Sequence, residues 1–240
     1  MNLINHDLKT IFIHVLKNGG TFTSIALRKF ANFVDMDFSL NPIYFTRNNF
    51  GRATRLLNIL ESNYTMENTN DYNRIAFVRN PYTKFVSGFC FVTSKTPPRR
   101  KFDQIENKTL LTLNDLIKNI DIINDTTYNH TFLSQTKMLY LNGVLQITQL
   151  CKFENMRAEL QNIFEIFNPP ITYDLDDPTL KQNASCKTQP FYEYYNEESF
   201  NFVNTWFADD FTNFNYTKFD TFQDFINFYQ QSATLDDVLS

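Results

Sequence analysis

Glycine is scarce in this chain, five residues in 240, and cysteine and histidine are scarcer still, three of each. No Gly-x-Gly-x-x-Gly occurs, which excludes the dinucleotide-binding fingerprint. The cysteines, Cys90, Cys151 and Cys186, lie far apart, with neither a Cys-x-x-Cys pair nor a Cys/His spacing. Neither a zinc site nor a disulfide framework is expected from them, and a reducing, cytoplasmic compartment is. No run approaches about twenty apolar residues, so no membrane span is predicted. The first residues, MNLINHDLKTIFIHV, lack a basic start, an apolar stretch and a small-residue cleavage site, so no secretory leader is expected. Without secretion the six Asn-x-Ser/Thr sites carry little meaning. What the chain does have is a core: 42% apolar residues, 26 of them Phe, against 20% charged, the balance of a folded globular protein.

Charge is unevenly spread. The net charge is −4, yet residues 1–101 carry 14 Lys/Arg against 6 Asp/Glu, and the remainder carries 8 against 20. From Arg74 to Lys101 there are seven basic residues and no acidic one. An acidic protein with a basic N-terminal half is poorly suited to wrapping nucleic acid. It suits focusing positive potential on one small polyanion, the plainer alternative being a solvated basic face.

The pattern along the chain alternates strand and helix. Thr10–Val15 reads as a short buried strand, ended by Leu16-Lys17-Asn18-Gly19-Gly20, and Thr21–Phe33 has helical spacing. Arg74–Val78 reads as a second strand. Asn80-Pro81 then opens a helix through Phe91, with Asn as cap and Pro in the first turn, and Thr93–Lys101 reads as a loop. Leu110–Ile122 is predicted helical, Leu145–Phe153 a third strand, and Glu154–Phe167 a helix. Ile171–Pro190 reads as irregular, Tyr195–Phe214 as a helix, and Phe222–Tyr229 as a last short one. The expectation is an α/β fold, one domain over residues 1–240, with a central, mainly parallel sheet flanked by helices.

Two places carry chemistry. A Gly pair between strand and helix lets backbone N–H groups approach an anion, and the helix N-terminus adds its dipole. Lys17 stands before the pair, and Thr21 and Thr23 after it. This is not a Walker A loop, where Lys follows the glycines. A tight turn with an exposed Lys is the bland alternative. At the second place, Arg79 leaves the strand end and Ser87 lies eight residues on, within the next helix. Both are placed to reach one phosphate at the carboxyl edge of the sheet, where open α/β sheets bind ligands. Alone, either residue is more often a surface ion pair or a solvated hydroxyl.

Taken together, HVLKNGGTFTS (His14–Ser24) and FVRNPYTKFVSGF (Phe77–Phe89) resemble the paired signatures of sulfotransferases that use 3′-phosphoadenosine 5′-phosphosulfate. The closest likeness is to the carbohydrate sulfotransferase branch, with its H-I-P-K-T-G-G-T-S and F-V-R-N-P-Y-x-R-x-V-S. CKFENM (Cys151–Met156) resembles that family's strand-to-helix segment. YYNEESFNFVNTWFADDFTNFNY (Tyr194–Tyr216) is similar to its closing helix. The resemblance implies a P-loop-like single domain. It also implies a 5′-phosphosulfate loop made by Lys17, Asn18, Gly19, Gly20, Thr21, Phe22 and Thr23, and a 3′-phosphate held by Arg79 and Ser87. Asn183-Ala184-Ser185 and Lys187 fall where relatives carry a loop over the nucleotide. Sulfuryl transfer builds charge on the oxygen bridging to the leaving phosphate, and Lys17 is assigned to stabilise it. No metal is required.

The acceptor hydroxyl needs a general base, and here the chain departs from the family pattern. Relatives place a His or Glu between the two phosphate motifs. This stretch has no His, and its acids are Asp35, Asp37, Glu61, Glu67 and Asp71. Of the three His, His6 lies near the terminus and His14 occupies a strand position that reads as structural. His130 lies in YNHTFLSQTKMLY, similar to a family segment H-F-x-P-Q but offset by one. His130 is named as base, with Glu61 its rival. Arg99-Arg100-Lys101 would suit an acidic glycan, or is a solvated charge run.

The acceptor is therefore expected to be a hydroxyl, on a carbohydrate by the branch resembled, with no nucleic-acid partner. A kinase would need Lys after the glycines and a Mg²⁺-holding Asp at a strand end, and neither is found. A non-catalytic nucleotide- or glycan-binding protein on the same fold is the remaining alternative. The sequence implies no oligomeric state. Its Asn/Ile/Lys/Phe-rich composition and its start close to the first strand suggest a viral or bacterial source.

Overall fold

The structure is a computed structural model that describes residues 2–35, 71–93, 112–120, 131–168, 172–180 and 189–239, with side chains to 232. Its strands are β1 (Leu3–Asn5), β2 (Thr10–Ile13), β3 (Val34–Asp35), β4 (Asn73–Val78), β5 (Tyr140–Leu141), β6 (Val144–Leu145) and β7 (Gln149–Lys152). The helices are α1 (Gly20–Ala31), α2 (Pro81–Thr93), α3 (Leu113–Lys118), α4 (Gln135–Leu139), α5 (Met156–Phe167), α6 (Glu197–Trp206), α7 (Ala208–Asn213) and α8 (Phe222–Leu239). The chain groups into two compact units, each assembled from separated stretches. One comprises residues 1–79 and 124–183, the other residues 80–123 and 184–240.

The first unit is built on a five-stranded sheet in the order β3-β1-β2-β4-β7. β2, β4 and β7 run parallel, while β1 is antiparallel to both β2 and β3. The sheet is thus α/β but mixed, where the sequence suggests mainly parallel. The added strands are three and two residues long, too short for a hydrophobic period to register. β1 enters through a turn in which the Asn5 side chain accepts from Leu8 N at 2.8 Å and Lys9 adopts a φ of 44°.

Strand residues alternate faces. Leu3, Phe12, Ile75, Phe77 and Cys151 point to one side and pack under Phe22, Ala26, Leu27 and Phe30 of α1 and Leu160, Ile163 and Phe164 of α5. Phe30 and Phe164 meet edge to face at 6.0 Å. Each such ring or aliphatic chain removed from water contributes about 1.5–3 kcal/mol, so this layer holds one face of the sheet. Both helices stop at a left-handed Asn, Asn32 after α1 and Asn168 after α5, whose N–H groups return to Leu27 O and Phe164 O.

The expected strand Leu145–Phe153 is divided. Val144–Leu145 forms a hairpin with Tyr140–Leu141, and only Gln149–Lys152 joins the main sheet. The hairpin turn is Asn142-Gly143, both at positive φ, the pairing that a two-residue turn of this twist requires.

The second unit is helical around one ring. Asn80 caps α2, its Oδ1 accepting from Tyr82 N at 2.9 Å, and Pro81 follows as the first helical residue. Tyr82 is fully buried, with the rings of Tyr195, Phe200, Phe211, Phe219 and Phe225 at 4.8–6.1 Å. Its hydroxyl donates to Asn204 Oδ1 at 2.6 Å and accepts from Phe219 N at 3.3 Å. Burial pushes the Tyr82 phenol well above its usual range. The predicted helix Tyr195–Phe214 is two helices meeting at the buried Phe207. Its apolar period runs through the break, so the sequence carries no mark of it. The final helix is longer than predicted, reaching Leu239.

Cys90 on α2 is disulfide-bonded, a pairing that the wide spacing of the cysteines does not announce. Among the described residues no helix is long and apolar enough to cross a membrane.

Candidate functional site

Because β2, β4 and β7 are parallel neighbours, their carboxyl ends share one edge of the sheet. Three segments emerge there: the turn Leu16–Gly19 after β2, Arg79 after β4, and the single 3-10 turn Phe153–Asn155 after β7. They meet. Arg79 Nη1 donates to the Lys17 carbonyl at 2.9 Å, and the guanidinium carbon lies 4.1 Å from the centre of the Phe153 ring. Residues 62 apart in sequence are thereby joined.

The turn itself alternates handedness. Lys17 has a φ of 68° and Gly19 a φ of 75°. Glycine accepts this conformation freely, but a residue with a Cβ held there costs about 1–2 kcal/mol. Four of the six described non-glycine residues at positive φ are Asn; Lys9 and Lys17 are not. Lys17 thus occupies a place where its side chain is a conformational burden. α1 begins with Gly19 as cap, no side-chain cap hydrogen bond and no acidic residue in its first turn, so its own first turn sets no carboxylate against the positive end of its dipole.

The two glycines are demanded by the protein's own packing. A Cβ on Gly19 would stand 2.5 Å from Met156 Sδ and 3.0 Å from the Phe153 ring. On Gly20 it would stand 2.0 Å from His14 Nε2. The His14 ring stacks on Phe12 with centroids 6.1 Å apart, which places this histidine beside the helix start as a packing element.

The predicted residues separate into groups. Lys17, Asn18, Gly19, Gly20 and Arg79 come together at this edge. Thr21 is exposed on the first turn of α1. Phe22 is a core residue, and Thr23 is fully buried with its hydroxyl toward Met156 Sδ at 4.0 Å, so both face inward from the turn. Ser87 is half-buried on α2, in the second unit. Asp37, Glu61, Glu67, His130, Lys187, Asn183–Ser185 and Arg99–Lys101 lie outside the described residues. Of the other acids between the motifs, Asp71 pairs with Lys9 at the amino edge of β4, the edge opposite Arg79. Asp35 pairs with Arg28 beside the outermost strand. Neither is positioned to act as a base at the turn.

Sequence reasoning missed Gln135, Phe153 and Met156 as parts of the site. Gln135, at the start of α4, is fully buried and bonds both to the Arg79 backbone and to Asn18. It ends the segment His130–Gln135 that resembles H-F-x-P-Q, where attention falls on the histidine and not on the amide.

Chemically, the edge offers a guanidinium, an ammonium and backbone donors around a helix start, a set suited to anions. Among the described residues no group of His, Cys, Asp or Glu is arranged to hold a metal ion. Comparison with family models, curated proteins and solved structures finds no match.

Proposed function

We propose that this chain transfers a sulfuryl group from 3′-phosphoadenosine 5′-phosphosulfate to an acceptor hydroxyl on a carbohydrate, on a P-loop-like fold. The observation that carries the reading is the meeting of the two motifs, Arg79 Nη1 on the Lys17 carbonyl at the carboxyl edge of adjacent parallel strands. The residues present suit the nucleotide. The Lys17–Gly20 backbone, Lys17 and the start of α1 would hold the 5′-phosphosulfate, and Arg79 the 3′-phosphate, for which the resemblance of the second motif also names Ser87. The co-substrate supplies the activated sulfonate. The acceptor oxygen bonds to sulfur as the bond from sulfur to the bridging phosphate oxygen breaks, and the hydroxyl proton passes to a general base, for which His130 and Glu61 are the candidates. Lys17 meets the charge that develops on the bridging oxygen, an interaction stronger in the transition state than in the ground state. Its strained backbone supports this role, since glycine would serve the turn better if only the turn mattered.

Lys17→Gly separates function from structure. It relieves the positive φ and should stabilise the fold by about 1 kcal/mol. Turnover should fall on the order of 10²–10³-fold, with a smaller loss of nucleotide affinity. Calorimetry with adenosine 3′,5′-bisphosphate and a sulfate-transfer assay on a hydroxyl panel measure both. A folded wild-type protein that binds no bisphosphate would refute the proposal.

A further inference from the structure

Two side-chain amides join the glycine turn to the end of β4. Asn18 is 1% exposed, and its Nδ2 donates to Phe77 O at 2.7 Å and to Gln135 Oε1 at 2.6 Å. That orientation is chemically fixed, because Phe77 O can only accept. Gln135 Oε1 also accepts from Arg79 N at 2.8 Å, and its Nε2 donates to Arg79 O at 2.8 Å. The Gln135 side chain thus makes with Arg79 the reciprocal pair of bonds that a neighbouring strand makes in an antiparallel ladder. It does so just where β4 leaves the sheet.

The circuit closes on itself. From Asn18 the chain leads back one residue to Lys17, whose carbonyl takes the Arg79 guanidinium at 2.9 Å. Arg79 is therefore held at both ends, its peptide by Gln135 and its tip by the glycine turn. Buried networks of this kind are stiff, because a displaced member leaves a donor or acceptor unpaired away from water, at about 1–3 kcal/mol each. The distance between the turn and the base of Arg79 is thereby set by Gln135 and Asn18, neither of which carries charge.

Resting on the nucleotide reading above, we propose that Gln135 is a positioning residue that fixes the spacing of two anion contacts. It thereby selects a nucleoside 3′,5′-bisphosphate over either monophosphate. Two contacts on one ligand multiply only when geometry lets both engage at once; when it does not, the gain is lost while each separate contact survives.

The test compares adenosine 3′,5′-bisphosphate, adenosine 5′-monophosphate and adenosine 3′-monophosphate by calorimetry on wild type and Gln135→Met. The Met side chain matches the shape of Gln and removes all its hydrogen bonds. Binding of the bisphosphate should weaken about tenfold or more, and of each monophosphate by less than about threefold, as loss of simultaneous engagement requires. Should Gln135→Met fail to fold, Gln135→Asn keeps the amide but shortens its reach and should show the same selective loss. A uniform loss on all three ligands, or no loss, overturns the positioning role and leaves the nucleotide reading standing. Absence of binding by wild type to all three overturns both.

Discussion

Replacing Gly20 with Ala tests the packing at the site directly. By helix propensity alone the change should stabilise, because Ala is better than Gly in a helix by up to ~1 kcal/mol. The structure predicts the opposite. The new methyl would stand 2.0 Å from His14 Nε2 and 2.1 Å from His14 Cδ2, so the ring must shift from its place stacked on Phe12. Overpacking of this kind costs about 1–3 kcal/mol, so the net loss should be roughly 1–2 kcal/mol. For a chain of this size that lowers the melting temperature by about 2–8 °C, at ~2–4 °C per kcal/mol. The assay is urea or thermal denaturation of four proteins: wild type, Gly20→Ala, His14→Ala and the double variant. In the His14→Ala background the added methyl should turn neutral or stabilising, giving a coupling of about 1–3 kcal/mol. A more stable single variant, or strictly additive effects, would refute the contact.

Two further expectations concern titration and redox state. Lys29 beside Asp177, with help from Thr179, lowers this carboxyl from an ordinary 3.8 to about 2. A folded pKa below the unfolded one means the pair stabilises the protein above about pH 4 and ceases to as pH falls toward about 2, which carboxyl NMR titration would follow; an Asp177 midpoint near 3.8 would contradict the pairing. Cys151 is fully buried, and burial, with Glu159 nearby, pushes its thiol up to about 12. Cys151 should therefore be labelled by a thiol reagent only after denaturation, and Cys90, being disulfide-bonded, only after reduction as well, as peptide mapping would show; labelling of Cys90 without reductant would remove the disulfide.

Legibility in the sequence followed the range over which each signal acts. β2, α1, β4 and α2 were readable because strand period, glycine turn and Asn-Pro cap are local, and all four lie within a residue or two of expectation. β1 and β3 owe their existence to pairing with β2 and with each other, which no local pattern records. The β5–β6 hairpin is different: Asn142-Gly143 is a strong local turn signal just ahead of the expected strand, but the strands it joins are only two residues long and show no period. At the site, charge and glycine drew attention to Lys17 and Arg79. The uncharged Gln135 and the aromatic support of Phe153 make their contribution only once three strand ends are side by side. Within the second motif, Asn80, Pro81 and Tyr82 serve the helix start and its aromatic core, which explains their place beside Arg79 without any ligand.

The crowding around Gly19 and Gly20 bears on how such a chain would drift over time. Met156, Phe153 and His14 exclude side chains at both positions whatever the protein binds. A descendant that ceased all chemistry would still keep its paired glycines, because losing them would endanger the fold. Position 17 would behave in the opposite way, since a left-handed backbone rewards the loss of a side chain there as soon as nothing requires the ammonium. Among diverging copies of this chain, the glycines would therefore report only that the architecture survives. On the reading proposed above, the residue just ahead of Asn18 would tell a working copy from a relic.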